Sequence, residues 1–206
     1  MKIFPKSEYQ ILKVIYENPG IKISELLDRA KVSVGTGQKR LDHLLGLDII
    51  REEKITGGSK TLIRRFYPNF KSEEGKSAYI LIESEKREKF MNKNKDLVGP
   101  FNQLLRNLDE NVKILMIFGS FANYSQTEDS DLDILFLTNG EIDTENLKKE
   151  IERSFVTFDH EISPRIDTVG NFRKNFDKEI YQTIVRNHII LGGTSEFIEI
   201  LANENY

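Results

Sequence analysis

Two carboxylates in the run DLDILFL are spaced to share one face of a β-strand. Side chains alternate along an extended chain, so Asp131 and Asp133 point the same way, about 6 to 7 Å apart, while Leu132 faces the opposite side. Like charges held side by side repel unless a cation lies between them, and an all-oxygen ligand set suits Mg²⁺ or Mn²⁺ rather than zinc. The pattern therefore predicts a divalent metal site at this strand.

A glycine and a serine precede this pair, at the end of the apolar run VKILMIF. Gly119 lets the backbone approach a ligand closely, and the following amides and the Ser120 hydroxyl can hold phosphate oxygens. A third carboxylate, Asp167 in RIDTV, lies on a candidate neighbouring strand, and three carboxylates can hold two metal ions about 4 Å apart. Isolated acids are usually solvated, so a plain surface role for Asp167 is the alternative.

The segments that must position these residues form a small mixed α/β domain at residues 109–206. From residue 112 the pattern is strand, turn, strand, followed by an amphipathic helix, a candidate strand around residues 165–169, a further helix, the run IILGG and a last helix that starts after Thr194. Residues 72–108 are charged and mostly helical, and we expect Gly99-Pro100 to break this connector.

The run GSFANYSQTEDSDLDILF resembles the Gly-Ser, spacer, Asp-x-Asp signature of the DNA polymerase beta-like nucleotidyltransferases, most closely the minimal nucleotidyltransferases, over roughly residues 97–206. The resemblance implies that Gly119 and Ser120 bind nucleotide phosphates. It also implies that Asp131 and Asp133 ligate metal, with Asp167 as the family's third carboxylate, a metal ligand or base near the attacking group. The implied cofactor is Mg²⁺ or Mn²⁺, and the implied substrate is an NTP, ATP in the first instance.

The sequence departs from the family pattern directly after the Gly-Ser pair. Many minimal members have Arg-Gly where this chain has Asn123-Tyr124, so a cationic phosphate contact is missing at that place. Two nearby aromatic side chains, Phe121 and Tyr124, are candidates to stack on a nucleobase, and packing in the core is the alternative for each.

The first 70 residues follow the order helix, helix, helix, hairpin, in which two extended runs flank Gly57-Gly58. This order resembles the winged helix-turn-helix, in particular MarR-like regulators, over roughly residues 5–70, and it implies a DNA-binding domain at residues 1–71. In that interpretation the third helix enters the major groove and the wing contacts phosphates. The residues available to DNA are Thr36, Gln38, Lys39 and Arg40 on the helix and Lys54, Lys60, Arg64 and Arg65 on the wing. A winged helix used only for protein contact or dimerisation is the alternative.

Charge is distributed unevenly along the 206 residues, whose formal net charge is −3. Residues 1–71 hold 14 Lys and Arg against 8 Asp and Glu, or +6, and the remainder holds 16 against 25, or −9. A basic first part agrees with a polyanionic partner, although uneven surface charge alone would look the same. Cysteine is absent and there are only three histidines, which excludes disulfide scaffolds, structural zinc sites and thiol nucleophiles. With no apolar run of membrane-spanning length, we expect a cytoplasmic protein that contacts no membrane.

The sequence thus predicts an α+β chain of two domains, a winged helix-turn-helix and a small mixed-sheet nucleotidyltransferase fold, joined by a helical connector. Two function classes follow. In the first, the chain is an Mg²⁺-dependent enzyme that transfers a nucleoside monophosphate from an NTP to a hydroxyl of a protein, nucleic acid or small molecule. In the second, it is a DNA-binding transcriptional regulator or antitoxin-like protein whose nucleotidyltransferase domain only senses nucleotide. In both we expect nucleotide and double-stranded DNA as partners and a homodimer as the working form.

Overall fold

A computed structural model describes residues 4–56 and 62–204 of the chain. These residues form two compact units, one comprising Met1–Ile82 with Leu201–Tyr206 and the other Glu83–Ile200. The mixture of helices and sheets in both units confirms the predicted α+β class with two domains.

The first unit is a bundle of helices beside a small antiparallel sheet. Strand β3 lies between the other two strands, in the order β1-β3-β2. Fully buried apolar side chains from the helices and from β3, among them Leu12, Leu26, Leu41 and Phe66, form its core. The elements are α1 (Lys6–Glu17), β1 (Ile21–Lys22), α2 (Ile23–Ala30), α3 (Val34–Gly46), β2 (Ile50–Thr56) and β3 (Leu62–Pro68). The predicted Gly57-Gly58 turn between β2 and β3 lies outside the described residues.

Gly37 explains how α2 and α3 come close enough to form the helix-turn-helix. Glycine inside a helix costs up to about 1 kcal/mol relative to alanine, so local propensity disfavours it here. A Cβ atom at Gly37 would nevertheless collide with the Cδ2 methyl of Leu27 on α2. The helix is therefore weaker in isolation but can pack its backbone against its neighbour.

The charged segment that follows is helical, with α4 at Glu73–Lys93, a short 3₁₀ turn at Lys95–Leu97 and α5 at Val98–Asn107. The predicted break at Gly99-Pro100 is wrong, because the interruption lies at the 3₁₀ turn and Pro100 belongs to the first turn of α5. Proline is tolerated there, since the first amides of a helix have no partner within the helix.

The second unit contains a four-stranded mixed sheet in the order β6-β5-β4-β7. β5 and β6 are parallel and the other pairs are antiparallel. Parallel neighbours require a crossover, and helix α7 lies between β5 and β6 in the chain. The elements are β4 (Val112–Ile117), α6 (Gly119–Ala122), β5 (Leu132–Thr138), α7 (Thr144–Ser154), β6 (Ile162–Thr168), α8 (Val169–Lys174), α9 (Glu179–Arg186), β7 (Ile189–Gly192) and α10 (Thr194–Asn203).

Strand β5 is central and β6 is an exposed edge. Ile134 and Phe136 of β5 are fully buried in a cluster with Phe101 of α5 and Ile151 of α7. Every residue of β6 is exposed or half-buried. The strand that leads out of the Asp-x-Asp pair is thus hydrogen-bonded along both of its edges, to β4 and to β6, and these contacts position its first residues.

Candidate functional site

Asp131 and Asp133 lie at the start of β5, beside the end of β4. Asp131 is exposed just ahead of the strand, and Asp133 is half-buried. The backbone amide of Phe118, the residue after β4, donates a hydrogen bond to the carbonyl oxygen of Asp133 at 3.1 Å. The antiparallel pairing of β4 with β5 thus brings the Gly-Ser pair and the Asp-x-Asp pair to the same end of the sheet.

Gly119 is required by this geometry. Its backbone has φ +69°, a left-handed conformation that residues with a Cβ adopt at a cost. A Cβ atom at this position would collide with Oδ2 of Asp133. The glycine therefore allows the backbone turn to touch the carboxylate. Ser120 follows half-buried at the start of the short helix α6, and its hydroxyl bonds no other described residue.

The pKa of Asp133 is raised above its ordinary value. Burial is the largest cause, and the negative charge of Asp131 adds to it. The hydroxyl of Ser163 and the charge of Arg165, both on the adjacent strand β6, act in the opposite direction. The surroundings of Asp133 therefore disfavour its ionised form, and a bound cation would favour it.

The loop before Asp131 is held by contacts that the sequence did not reveal. The Ser130 hydroxyl accepts a hydrogen bond from the Thr127 amide at 2.8 Å, which closes a tight turn. The Nδ1 atom of His160 lies 2.9 Å from the Ser130 carbonyl oxygen, and the ring of Phe121 packs edge-on against His160. Because His160 is 30 residues from its partner, no local pattern could have pointed to it.

Phe121 and Tyr124, the two stacking candidates, lie in different environments. Phe121 is only 3% exposed, so its alternative, a core role, is the one the structure supports. Tyr124 is 43% exposed, has a left-handed φ of +56° and lies beneath Lys93, whose Nζ is 4.1 Å from the ring centroid. The ring of Tyr124 is thus open to solvent on part of its surface.

Asp167 does not join the other two aspartates. In the parallel pairing, Asp133 is opposite Ser163, whereas Asp167 is opposite Leu137, four residues farther along. At about 3.3 Å per residue this displacement is about 13 Å. Asp167 instead accepts hydrogen bonds from the Tyr181 hydroxyl at 2.7 Å and from the Asn171 amide at 2.8 Å. The predicted cluster of three carboxylates is therefore not formed in this structure.

The residues of β6 nearest Asp133 are a serine and an arginine. Ser163 is opposite Asp133, and Arg165 is two residues farther along on the same face of the strand. Arg165 is exposed, and its guanidinium makes no hydrogen bond or ion pair to another described residue. A cation thus lies where the sequence had led us to expect a third acid.

The predicted DNA-reading residues of α3 divide into exposed and engaged ones. Thr36 and Lys39 are exposed, and Gln38 is half-buried, with its amide donating to Asp42 at 2.7 Å. Arg40 donates to Glu8 at 3.0 Å, and Glu8 is almost completely buried. The guanidinium of Arg40 therefore neutralises a buried carboxylate, and the prediction that it reads bases is not supported.

The wing cations divide in the same way. Lys54 is 59% exposed and 3.4 Å from Glu52. Arg64 is paired with Glu52 and also donates to Gln38 at 2.8 Å, and Arg65 donates to the Gly20 carbonyl oxygen at 2.9 Å. Both arginines thus stabilise the domain internally. Lys60, the remaining predicted wing contact, lies outside the described residues.

One exposed apolar residue on this surface was missed by the sequence reasoning. Val34, the first residue of α3, is 75% exposed. Its position at the start of the predicted recognition helix makes it a candidate for contact with a thymine methyl group.

Comparison with known families bears on both units. Residues 100–196 match the family model described as "Polymerase beta, Nucleotidyltransferase", and residues 5–51 match the one described as "Winged helix-turn-helix DNA-binding". The chain carries a winged helix-turn-helix domain, followed in the sequence by a polymerase beta nucleotidyltransferase domain. Both resemblances inferred from the sequence are thereby confirmed.

A solved structure titled "Crystal structure of the toxin-antitoxin with AMP-PNP" is similar to this chain at 20% identity, with a TM-score of 0.38, over 51% of this chain and 80% of that chain. The search of curated proteins found no match. Among the residues that the structure describes, none of the helices combines the length and apolar character needed to cross a bilayer.

The nucleotidyltransferase domain offers two carboxylates to a metal. Within residues 4–56 and 62–204, no three acidic or histidine side chains converge as a metal-binding group. Mg²⁺ is commonly held by one or two protein carboxylates together with waters and substrate phosphates. Asp131 and Asp133 therefore fit one Mg²⁺ shared with a nucleotide, and the raised pKa of Asp133 agrees with a site whose charge such an ion would balance.

Proposed function

We propose that the chain is a metal-dependent nucleotidyltransferase that transfers a nucleoside monophosphate from an NTP, with ATP as the first candidate, to a hydroxyl acceptor on a protein or nucleic acid. One observation carries the proposal. The backbone of Gly119 touches the carboxylate of Asp133, so that a phosphate-binding turn and an acidic pair occupy the same end of the sheet.

In this mechanism the Ser120 hydroxyl and the amides that follow Gly119 bind phosphate oxygens. Asp131 and Asp133 would hold Mg²⁺, which when bound neutralises phosphate charge and polarises the phosphates toward attack. The acceptor hydroxyl gives up its proton to solvent while its oxygen forms a bond to the α-phosphorus, the bond from the α-phosphorus to the oxygen that bridges it to the β-phosphorus breaks, and pyrophosphate leaves. Asp133 is held in place by its strand and by Gly119, so little reorganisation is needed when the nucleotide binds.

The test is incorporation of label from α-labelled ATP in the presence of Mg²⁺, first into the chain itself and then into host lysate. We expect a labelled acceptor with the wild-type chain and none with Asp133→Asn, because the amide cannot replace the ionic ligand. The matched control is Asp143→Asn, an exposed acid of the same domain that caps α7. Equal labelling by wild type and Asp133→Asn would contradict the proposal.

A second function is favoured by the register of β6. Along β6, Asp167 is four residues beyond the position opposite Asp133, whereas Arg165 is only two residues beyond it. A site with two acids and a nearby cation suits binding of a nucleotide without the two-metal arrangement that transfer uses. In this alternative the chain is a DNA-binding regulator or antitoxin-like protein, and ATP changes its affinity for DNA without any label being transferred.

For the winged helix we propose binding to double-stranded DNA as a homodimer that spans two half-sites. The exposed residues Thr36 and Lys39 of α3 and Lys54 of the wing support this proposal, as does the charge of +6 in residues 1–71. Gel shifts of the full chain with its own upstream region test the proposal. No retardation at low salt would assign the domain to protein contact or dimerisation.

A further inference from the structure

A cavity of about 440 Å³ opens beside the Gly119 turn. One wall is formed by Phe118, Gly119 and Asn123, and the other by α9. Its volume is within the range of small-molecule sites, which are about 300 to 1,000 Å³. The cavity is thus directly adjacent to the predicted phosphate-binding turn, but the aspartates do not line it.

Helix α9 presents a polar row to this cavity. Glu179 and Thr183 are four residues apart, which places them on one face of the helix together with Ile180 and Ile184 beside them, and Asn187 follows directly after the last residue of the helix. None of the three polar side chains makes a hydrogen bond or ion pair to another described residue. Nor does Asn123 on the opposite wall. Hydrogen-bonding groups on both walls thus have no partner within the part of the chain that the structure describes.

The chemistry of the lining residues selects among the parts of a nucleotide. The residues that line the cavity include no cation, and Glu179 would repel a phosphate. Phe118, Ile180 and Ile184 provide apolar surface for the faces of a planar ring. The two asparagine amides can donate and accept along a base edge, as asparagine does with adenine. A carboxylate accepts hydrogen bonds from ribose hydroxyls.

From these observations we infer that this cavity binds the nucleoside half of the NTP, with Asn187 contacting the base edge, while the Gly119 turn binds the phosphates. The inference rests on the proposed nucleotide site and adds to it the part of the protein that recognises the nucleoside. It assigns to α9 a role in binding that the Gly-Ser and Asp-x-Asp residues do not supply.

Calorimetry on the full chain with two probes, ATP and inorganic tripolyphosphate, both with Mg²⁺, tests the inference. Thr183→Tyr fills the cavity and should abolish ATP binding, and Asn187→Ala should weaken it about three- to tenfold, the range for one lost hydrogen bond. Neither variant should change the affinity for tripolyphosphate. The matched control is Arg186→Ala, an exposed change on α9 away from the cavity that should leave both affinities unchanged.

The possible outcomes distinguish failure of the nucleoside cavity from failure of the proposed nucleotide site. If the wild type binds ATP and Thr183→Tyr binds it equally well, the cavity is not the nucleoside site. Parallel losses for ATP and tripolyphosphate would assign the cavity to phosphates and overturn the inference as well. If the folded wild type binds neither probe, the proposed nucleotide site fails and the inference fails with it. Melting curves of each variant show whether the fold is retained.

Discussion

Replacing Gly119 with alanine perturbs the nucleotide site at its tightest contact. The backbone there has φ +69°, and a left-handed conformation costs a residue with a Cβ about 1 to 2 kcal/mol. The new methyl group would also collide with Oδ2 of Asp133, so that either the turn or the carboxylate must move. We expect the free energy of unfolding of the second unit to fall by about 1 to 3 kcal/mol, allowing for partial relaxation of the clash.

The more important consequence of Gly119→Ala should be a loss of affinity for the nucleotide. If the carboxylate moves by even a fraction of an ångström, the metal ligand and the phosphate-binding amides no longer match, and we expect ATP affinity with Mg²⁺ to fall at least about tenfold. Calorimetry measures the affinity, and differential scanning calorimetry measures the stability. The matched control is Gly170→Ala, where φ is not positive and the nearest atom to a new Cβ is the Thr168 hydroxyl oxygen at 4.0 Å.

Gly170→Ala should be neutral or stabilising by up to about 1 kcal/mol, because alanine favours a helix and α8 has room for it. A Gly119→Ala chain that binds ATP and unfolds like the wild type would refute the reasoning.

Three further predictions concern other parts of the chain. Gly37→Ala should lower the free energy of unfolding of the first unit by about 1 to 3 kcal/mol, although alanine has the better helix propensity, because the new methyl group would collide with Leu27. Thermal unfolding measures this loss. Burial alone would raise the pKa of Glu83, but the charges of His188 and Lys86 and their hydrogen bonds lower it from 4.5 to about 2. The lowered pKa means that ionised Glu83 stabilises the folded chain, by at most about 3 kcal/mol. This contribution is complete above pH 4.5 and is lost as the pH falls toward 2, so the free energy of unfolding of Glu83→Gln should depend less on pH in that range. Lys39→Ala should weaken DNA binding and reduce the slope of log affinity against log salt by about 0.9, measured by fluorescence anisotropy, if this exposed lysine contacts a phosphate.

The alternation of apolar and acidic residues was sufficient to predict the start of β5. Asp131 and Asp133 lie at the start of this strand, because the residues that follow are buried on both faces, as the complete burial of Ile134 and Leu135 shows, and charges can be accommodated only where the strand emerges from the core. The sequence also indicated a close approach of the backbone at Gly119, but to a ligand, whereas the group that a Cβ atom there would meet is the Asp133 carboxylate.

The position of Asp167 could not be predicted in this way. The register of two parallel strands is set by the crossover through α7 and by the contacts of that helix, which no local pattern encodes. A shift of four residues keeps Asp167 on the expected face and moves it about 13 Å along the strand. The sequence thus indicated the face of β6 on which Asp167 lies, but not its position along the strand.

The engaged arginines of the winged helix were missed because their partners are distant in the sequence. Arg40 pairs with Glu8, 32 residues away, and Arg65 donates to Gly20, 45 residues away. A net charge of +6 says how many cations the segment has but not which of them are already neutralised within the fold. The same limit applies to Gly37, which local propensity counts as a weakness and tertiary packing requires.

The most direct measurement of the central claim is calorimetric titration of ATP into the full chain, with Mg²⁺ and then with EDTA. Because Asp131 and Asp133 would repel the triphosphate without a cation between them, we predict binding with Mg²⁺ and at least a tenfold loss of affinity with EDTA. The variant Asp133→Asn should lose most of this metal dependence. Equal affinity for ATP with Mg²⁺ and with EDTA would contradict a nucleotide site built on this acidic pair.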